Sequence, residues 1–153
     1  MILFVSFSLI FSMAQLGSAA PYSEPVVNWM NISITHAYYY DLDYDGKQDD
    51  ILIDFTCRVR DWIPSPSWSY FELFLKLPSG LTYLVTFEVY GKYRTLQMRM
   101  AWFNCATESG WYNIRIDAYT IFSNAIGYST SNYNFDPPTP GGTGEPHVIL
   151  YLL

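Results

Sequence analysis

The sequence predicts an all-β protein, an antiparallel immunoglobulin-like β-sandwich of about seven strands. Three observations predict this class. Apolar and polar residues alternate at period two along most of the chain, whereas helical periodicity is scarce. Glycines, prolines and acidic residues that favour turns separate the alternating segments. Half of the residues are hydrophobic and only 14% are charged, so one face of each strand can be buried in a single core.

The two ends of the chain lie outside the predicted sandwich. Residues 1–20 are almost wholly apolar and end in small residues, which is typical of a secretory signal peptide. No Lys or Arg precedes the apolar run, so an uncleaved N-terminal anchor is the alternative, and both predict a secreted or cell-surface protein. Residues 136–146 are rich in proline and glycine and predict a linker. The apolar residues 147–153 are interpreted either as a strand that is added to this sandwich or to the sheet of a neighbouring molecule, or as an apolar tail.

Residues 21–135 hold the predicted strands. The first runs from Asn31 to Tyr40 and the second from Ile51 to Val59, and an acidic loop joins them. His36 has the same parity as Ile32 and is expected to share its face and to pack near that loop. The inward sets of the next strands are Phe71, Leu73, Leu75 and Leu77; Tyr83, Val85, Phe87 and Val89; Leu96, Met98, Met100 and Trp102; and Tyr112, Ile114, Ile116 and Ala118, before a more polar strand over 125–135.

Residues 41–50 read DLDYDGKQDD and carry five aspartates and one lysine. Carboxylates this dense repel one another unless a cation lies among their oxygens. The spacing is that of a calcium loop, with acids at positions 1, 3, 5 and 9 and a glycine at position 6, where the chain must turn sharply. The alternative is an Asp-Gly hairpin turn with a solvated acidic tip and no ion. The candidate ligands are the side chains of Asp41, Asp43, Asp45 and Asp49, the backbone carbonyl of Lys47, and Asp50 as a further carboxylate.

This loop resembles the D-x-D-x-D-G-x-x-D cores of EF-hands, dockerins, thrombospondin type 3 repeats and FG-GAP repeats. Position 12 is Leu52 instead of the bidentate glutamate of an EF-hand, and the flanking segments have the pattern of strands. The resemblance is therefore closest to calcium loops between β-strands. It implies Ca²⁺ as the cofactor, bound with a weak dissociation constant of about 10⁻⁴–10⁻³ M because the glutamate is missing.

The segment Gly110–Ala118 reads GWYNIRIDA. It resembles the G-x-Y-x-I-x-I-x-A run at the sixth strand of immunoglobulin-like, fibronectin type III and PKD-like domains. That resemblance implies that Tyr112 forms a tyrosine corner, in which the phenol hydrogen-bonds to backbone a few residues upstream.

Cys57 and Cys105 are the two cysteines of the chain. A secretory route favours a disulfide between them, which would stabilise the fold by about 4 kcal/mol in the chain-entropy model. Two free, buried cysteines are the alternative. Because Cys105 precedes the sixth strand, a bridge would differ from the usual inter-sheet disulfide of immunoglobulin domains.

The sequence carries no motif for catalysis, neither G-x-S-x-G, H-E-x-x-H nor a phosphate-binding glycine loop, so we expect no enzyme. Its net charge of −6, without a basic patch, argues against nucleic acid as a partner. The leading hypothesis is a calcium-stabilised module with a structural or adhesive role and a protein or glycan partner at the cell surface. A carbohydrate-binding module is one alternative, and a fibre subunit that self-associates through residues 147–153 is another. The ligand platform of the carbohydrate-binding alternative would be the tryptophans Trp62, Trp68 and Trp111.

Overall fold

The computed structural model describes residues 7–10, 28–122, 125–136 and 146–153. Most of the predicted signal peptide and of the predicted linker therefore lies outside the described residues. Among the described residues, no helix has the length and hydropathy needed to cross a membrane. The strands are β1 (Phe7–Ile10), β2 (Met30–Tyr40), β3 (Asp50–Val59), β4 (Trp68–Lys76), β5 (Thr82–Tyr90), β6 (Thr95–Phe103), β7 (Tyr112–Phe122), β8 (Ala125–Phe135) and β9 (His147–Leu152).

The strands form two antiparallel sheets, which confirms the predicted fold class. The first sheet has the order β1-β5-β4-β7-β8 and the second the order β2-β3-β6-β9. The seven predicted strands correspond to β2–β8. Two edge strands extend them: β1, which lies within the predicted signal peptide and pairs with β5, and β9, which pairs with β6 of the same chain.

The core lies between the two sheets and is built from the predicted inward residues. Phe71 and Phe87 on neighbouring strands stack with ring centroids 4.8 Å apart, and both are buried. Trp102 and Tyr112 are the largest of the fully buried side chains. Because alternate residues of a strand point to opposite faces, the inward set of each strand faces this core.

A β-bulge in β2 overturns the expectation for His36. The register runs from Ile34 opposite Phe55 directly to His36 opposite Asp54, so one extra residue is inserted between them. The insertion reverses the alternation of the strand. His36 therefore lies on the outer face, where its ring stacks on Tyr38 with centroids 5.7 Å apart.

The expected disulfide is wrong, because both cysteines are free and buried. Cys57 lies opposite Leu96 near the start of β6, whereas the backbone N–H of Cys105 donates to the carbonyl of Asp49 at 2.9 Å. Asp49 and Cys57 are eight residues apart along an extended segment, which spans about 26 Å. A disulfide needs Cα atoms within about 7 Å, so β3 keeps the two thiols at opposite ends of the sheet.

The loops β2–β3, β4–β5 and β6–β7 meet at one end of the sandwich, which we call the acidic pole (residues 41–49, 77–81 and 104–111). The Glu108 carboxylate accepts the backbone N–H and the hydroxyl of Ser79, each at 2.7 Å. The Tyr112 hydroxyl donates to the Glu108 carbonyl at 2.9 Å and accepts the Glu108 N–H at 2.8 Å. The expected tyrosine corner is thereby confirmed, and it anchors the turn beside the acidic loop.

Candidate metal centre

The loop between β2 and β3 curls around its own carboxylates. Asp41 Oδ2 accepts the N–H of Gly46 at 3.1 Å, and Asp43 Oδ1 accepts the N–H of Asp45 at 3.2 Å. Gly46 has φ +88°, and a Cβ there would meet nothing within 4 Å. The glycine is therefore required by the left-handed backbone and not by lack of space. Tyr44 also has a positive φ of 64°, which is uncommon for a residue with a side chain.

Three carboxylates converge inside this curl. Asp41, Asp43 and Asp50 each place one oxygen so that all three oxygens lie within 4.8 Å of one another. Hard oxygen ligands in such a group suit a divalent cation. The third member, Asp50, was the supplementary candidate of the sequence pattern, and the fold brings it in from the start of β3.

Asp50 also ties the loop to a distant turn. Its Oδ2 accepts the backbone N–H groups of Leu42 at 2.6 Å and Asp43 at 3.3 Å, and its Oδ1 accepts that of Asn104 at 2.8 Å. Asn104 follows β6 and has a positive φ of 55°. Backbone strain of this kind persists only where the surroundings enforce it. The Asp50 carboxylate is thus positioned by three donors and retains lone pairs for a further ligand.

Asp49 is the most unusual residue of the loop. It is 0% exposed, and neither of its carboxylate oxygens has a hydrogen-bond partner within the described residues. Burial raises its pKa above the ordinary value, and the negative charges of Asp45 and Asp50 raise the pKa further. Asp41 Oδ1 is likewise buried and without a partner in the described part of the chain. Three buried oxygens that lack donors carry a free-energy cost that a coordinated cation would remove, so the residues fit a metal ion.

Asp45 and Lys47 lie at the rim of the loop. Asp45 is exposed; its Oδ1 accepts the Lys47 N–H at 2.9 Å, and its Oδ2 lies 3.3 Å from the Lys47 ammonium. Asp45 and Asp49 are outside the group of three converging oxygens. The structure therefore brings together Asp41, Asp43 and Asp50, buries Asp49 outside that group, and directs Asp45 towards the lysine.

The three tryptophans proposed as a ligand platform do not share a surface. Trp62 and Trp111 are 67% and 69% exposed but lie in connections at opposite ends of the sandwich. Trp68 starts β4 on the outer face of the first sheet, and the other end of β4, at Lys76, pairs with Asn113 near Trp111. A nine-residue strand spans roughly 25–30 Å, so no small ligand would touch all three.

The outer face of the first sheet carries a different aromatic surface, which the sequence analysis did not predict. The outward side chains Trp68 and Tyr70 of β4, Tyr119 of β7 and Tyr128 of β8 follow one another across the first sheet, and we call them the aromatic row. Successive ring centroids are 6.4, 6.0 and 5.2 Å apart. The outward parity of each residue is visible in the sequence, but the order of the strands that aligns them is not.

No family model matches this chain, and no curated protein or solved structure matches it.

Proposed function

We propose that this chain is a secreted or cell-surface β-sandwich module that is stabilised by Ca²⁺ in its β2–β3 loop, has a structural or adhesive role, and is not an enzyme. The observation that carries the calcium proposal is the buried carboxylate of Asp49, whose oxygens have no hydrogen-bond donor among the described residues. Asp50, the next residue, belongs to the group of three carboxylates that converge, whereas Asp49 itself is outside that group. A cation held by the group would offset the mutual repulsion of the aspartates, and a rotation of the Asp49 side chain towards it would give Asp49 the partner that it lacks.

Calcium fits this loop better than zinc or magnesium. The only thiol nearby is Cys105, whose S–H donates to the carbonyl of Phe103 at 3.1 Å. Burial and the charges of Asp50 and Asp49 raise the pKa of Cys105 to about 12, so a metal would have to displace a tightly held proton to use this sulfur as a ligand. Carboxylates alone favour a hard cation, and a loop of this shape suits the larger, more variable coordination shell of Ca²⁺ over the strict octahedron of Mg²⁺.

Binding at this loop would stabilise more than the loop itself. Asp50 accepts from Asn104, and the Asp49 carbonyl accepts the N–H groups of Cys105 at 2.9 Å and Ala106 at 2.8 Å. An ion that fixes these two aspartates would therefore also hold the β6–β7 turn, on which the Tyr112 corner is built. A weak site of this kind fills at the calcium concentrations found outside cells, in keeping with the targeting pattern of residues 1–20.

Terbium luminescence tests the site directly. Tb³⁺ replaces Ca²⁺ at oxygen sites and is excited through nearby aromatic rings, and Tyr44 lies within the loop itself. We expect sensitised emission that millimolar calcium displaces, and we expect Asp49→Asn to weaken terbium binding at least tenfold. Asp61→Asn removes the same charge from an exposed residue remote from the loop and should leave binding unchanged. Equal emission from both variants would contradict the assignment.

The fibre-subunit alternative remains a separate proposal. In this structure β9 pairs with β6 of its own chain. A fibre would therefore form either by exchange of β9 between molecules or by pairing of a neighbour's strand with the outer edge of β9. Ile149, Tyr151 and Leu153 on β9 and at its end are 41%, 46% and 64% exposed. The glycan-binding alternative is favoured by a specific surface, the aromatic row.

A further inference from the structure

The aromatic row runs across the outer face of the first sheet. In the strand register, Tyr70 lies opposite Glu88 on one side and Tyr119 on the other, and Tyr119 lies opposite Tyr128. Trp68 extends the row along β4, with its ring only 19° from the plane of Tyr70. The result is one line of partly exposed rings that spans three neighbouring strands.

Carboxylates beside the row hold its rings in place. Glu88 accepts the indole N–H of Trp68 at 3.1 Å and also the hydroxyl of Tyr90. The Tyr70 hydroxyl donates to Glu72 at 3.3 Å, and the Tyr128 hydroxyl donates to Asp117 at 3.1 Å. These bonds lock ring orientations before any ligand arrives, which reduces the entropy lost on binding. Glu72 and Glu88 are partly exposed and can accept further hydrogen bonds, since an ionised carboxylate has about four acceptor positions. Asp117 is buried and already bonded to Tyr128, Thr130 and Arg115, so it supports the row from below.

The charge and shape of this face restrict its ligand. Glu72, Glu88 and Asp117 outnumber the outward cations Arg115 and Lys76, of which Lys76 lies at the far end of β4. Arg115 is bound to Asp117 at 3.1 Å and lies 4.0 Å from the ring centre of Phe74. Anionic ligands are therefore repelled. Neighbouring rings of the row are tilted by 19°, 39° and 45° to one another, and each ring is partly exposed along one open sheet face, so the row does not enclose an organic cation as an aromatic cage does. A ligand that fits has a flat C–H face to stack on the rings and hydroxyl groups to donate to the carboxylates.

We infer that the aromatic row binds a neutral polysaccharide of pyranose units, with sugar faces stacked on Tyr70, Tyr119 and Tyr128 and hydroxyls donated to Glu72 and Glu88. This inference rests on the adhesive role proposed above and gives it a ligand class, but it does not depend on the calcium loop. The row replaces the three-tryptophan platform, of which only Trp68 belongs to it.

Affinity electrophoresis of the whole chain in gels that contain a soluble polysaccharide tests the inference. The panel comprises β-glucan, xylan and galactomannan as neutral polymers and polygalacturonate as the anionic one. We expect retardation by at least one neutral polymer and none by polygalacturonate. Tyr119→Ala should weaken binding at least tenfold, whereas Tyr119→Phe keeps the ring and should stay within about threefold of the wild type.

Matched variants separate the possible outcomes. Trp111→Ala removes a larger and more exposed ring that lies outside the row, so binding should be unchanged. Tyr128→Ala is a second truncation within the row, for use if a melting curve shows that Tyr119→Ala is unstable. Asp49→Asn should bind the polysaccharide as the wild type does, so a failed calcium site and a failed glycan face are distinguishable. Absence of retardation by every neutral polymer, loss of binding in Trp111→Ala, or retardation by an arginine-rich peptide in place of a sugar would overturn the inference.

Discussion

Replacing Asp49 by asparagine tests the central physical claim, that this buried carboxylate is tolerated because a cation pairs with it. The substitution keeps the shape of the side chain and removes its charge. In the absence of metal, the raised pKa of Asp49 means that the fold disfavours the ionised form. The stability contributed by this group is therefore greatest below its ordinary pKa and falls as pH rises through the raised value. At neutral pH and with chelator, Asp49→Asn should melt at the wild-type temperature or above it.

The magnitude follows from the expected affinity. With a dissociation constant of about 10⁻⁴–10⁻³ M, 10 mM calcium is a roughly 10- to 100-fold excess. Ligand linkage then stabilises the wild type by about 1.4–2.7 kcal/mol. For a chain of this size that corresponds to a rise in Tm of about 3–10 °C. The variant should lose most of this rise, because two of the three buried oxygens without hydrogen-bond donors belong to Asp49.

Differential scanning fluorimetry with calcium or chelator, at several pH values, measures these shifts. The calcium-induced rise in Tm of the wild type should grow as pH increases from acid to neutral, because protons and calcium compete for the same carboxylate. Asp61→Asn is the matched control, since that side chain is 86% exposed and its loss of charge is equal. The reasoning is refuted if the wild type shows no calcium-dependent rise at 10 mM, or if Asp49→Asn keeps the full rise.

Three further predictions concern the fold around the site. Tyr112→Phe removes two hydrogen bonds to the backbone of the β6–β7 turn and should lower the free energy of unfolding by about 1–3 kcal/mol in urea; an unchanged midpoint would contradict a structural role for the corner. Burial raises the pKa of both Cys57 and Cys105, so neither thiol should react with a thiol reagent in the native protein, and both should react in denaturant. A reductant should leave Tm unchanged. No reactive thiol in denaturant and a lower Tm with reductant would instead indicate a disulfide. Two nitrogens of the Arg99 guanidinium bond to Asp54, each at 2.7 Å, and hold the pKa of that carboxyl below its ordinary value. The ion pair therefore stabilises the fold fully above the ordinary pKa of Asp54, and this stabilisation is lost as pH falls through the lowered pKa. Asp54→Asn should lower the free energy of unfolding by about 0.5–1 kcal/mol at neutral pH and should reduce the loss of stability as pH falls into the acid range. An unchanged loss of stability at acid pH would show that Asp54 is not its source.

Much of the fold was predictable because strand formation is read from local alternation. The inward sets of β4, β6 and β7 are buried as expected, since a period of two fixes which side chains face the core once a segment is extended. The tyrosine corner was also predictable, because Tyr112 and its partner are only four residues apart. In β2 the same rule failed after Ile34, where the bulge inserts a residue that no alternation reveals.

By itself, the sequence determined an acidic loop between two strands, with a glycine where the backbone must be left-handed, because these are properties of neighbouring residues. Only the tertiary structure decided that Asp49 would be buried without a hydrogen-bond donor and that Asp50 would bind the backbone of a residue 54 positions away. It also separated Cys57 from Cys105 and aligned Tyr70, Tyr119 and Tyr128 across three strands. Burial, distance and alignment of this kind depend on which strands become neighbours and in what register, and the packing of the whole sandwich fixes both.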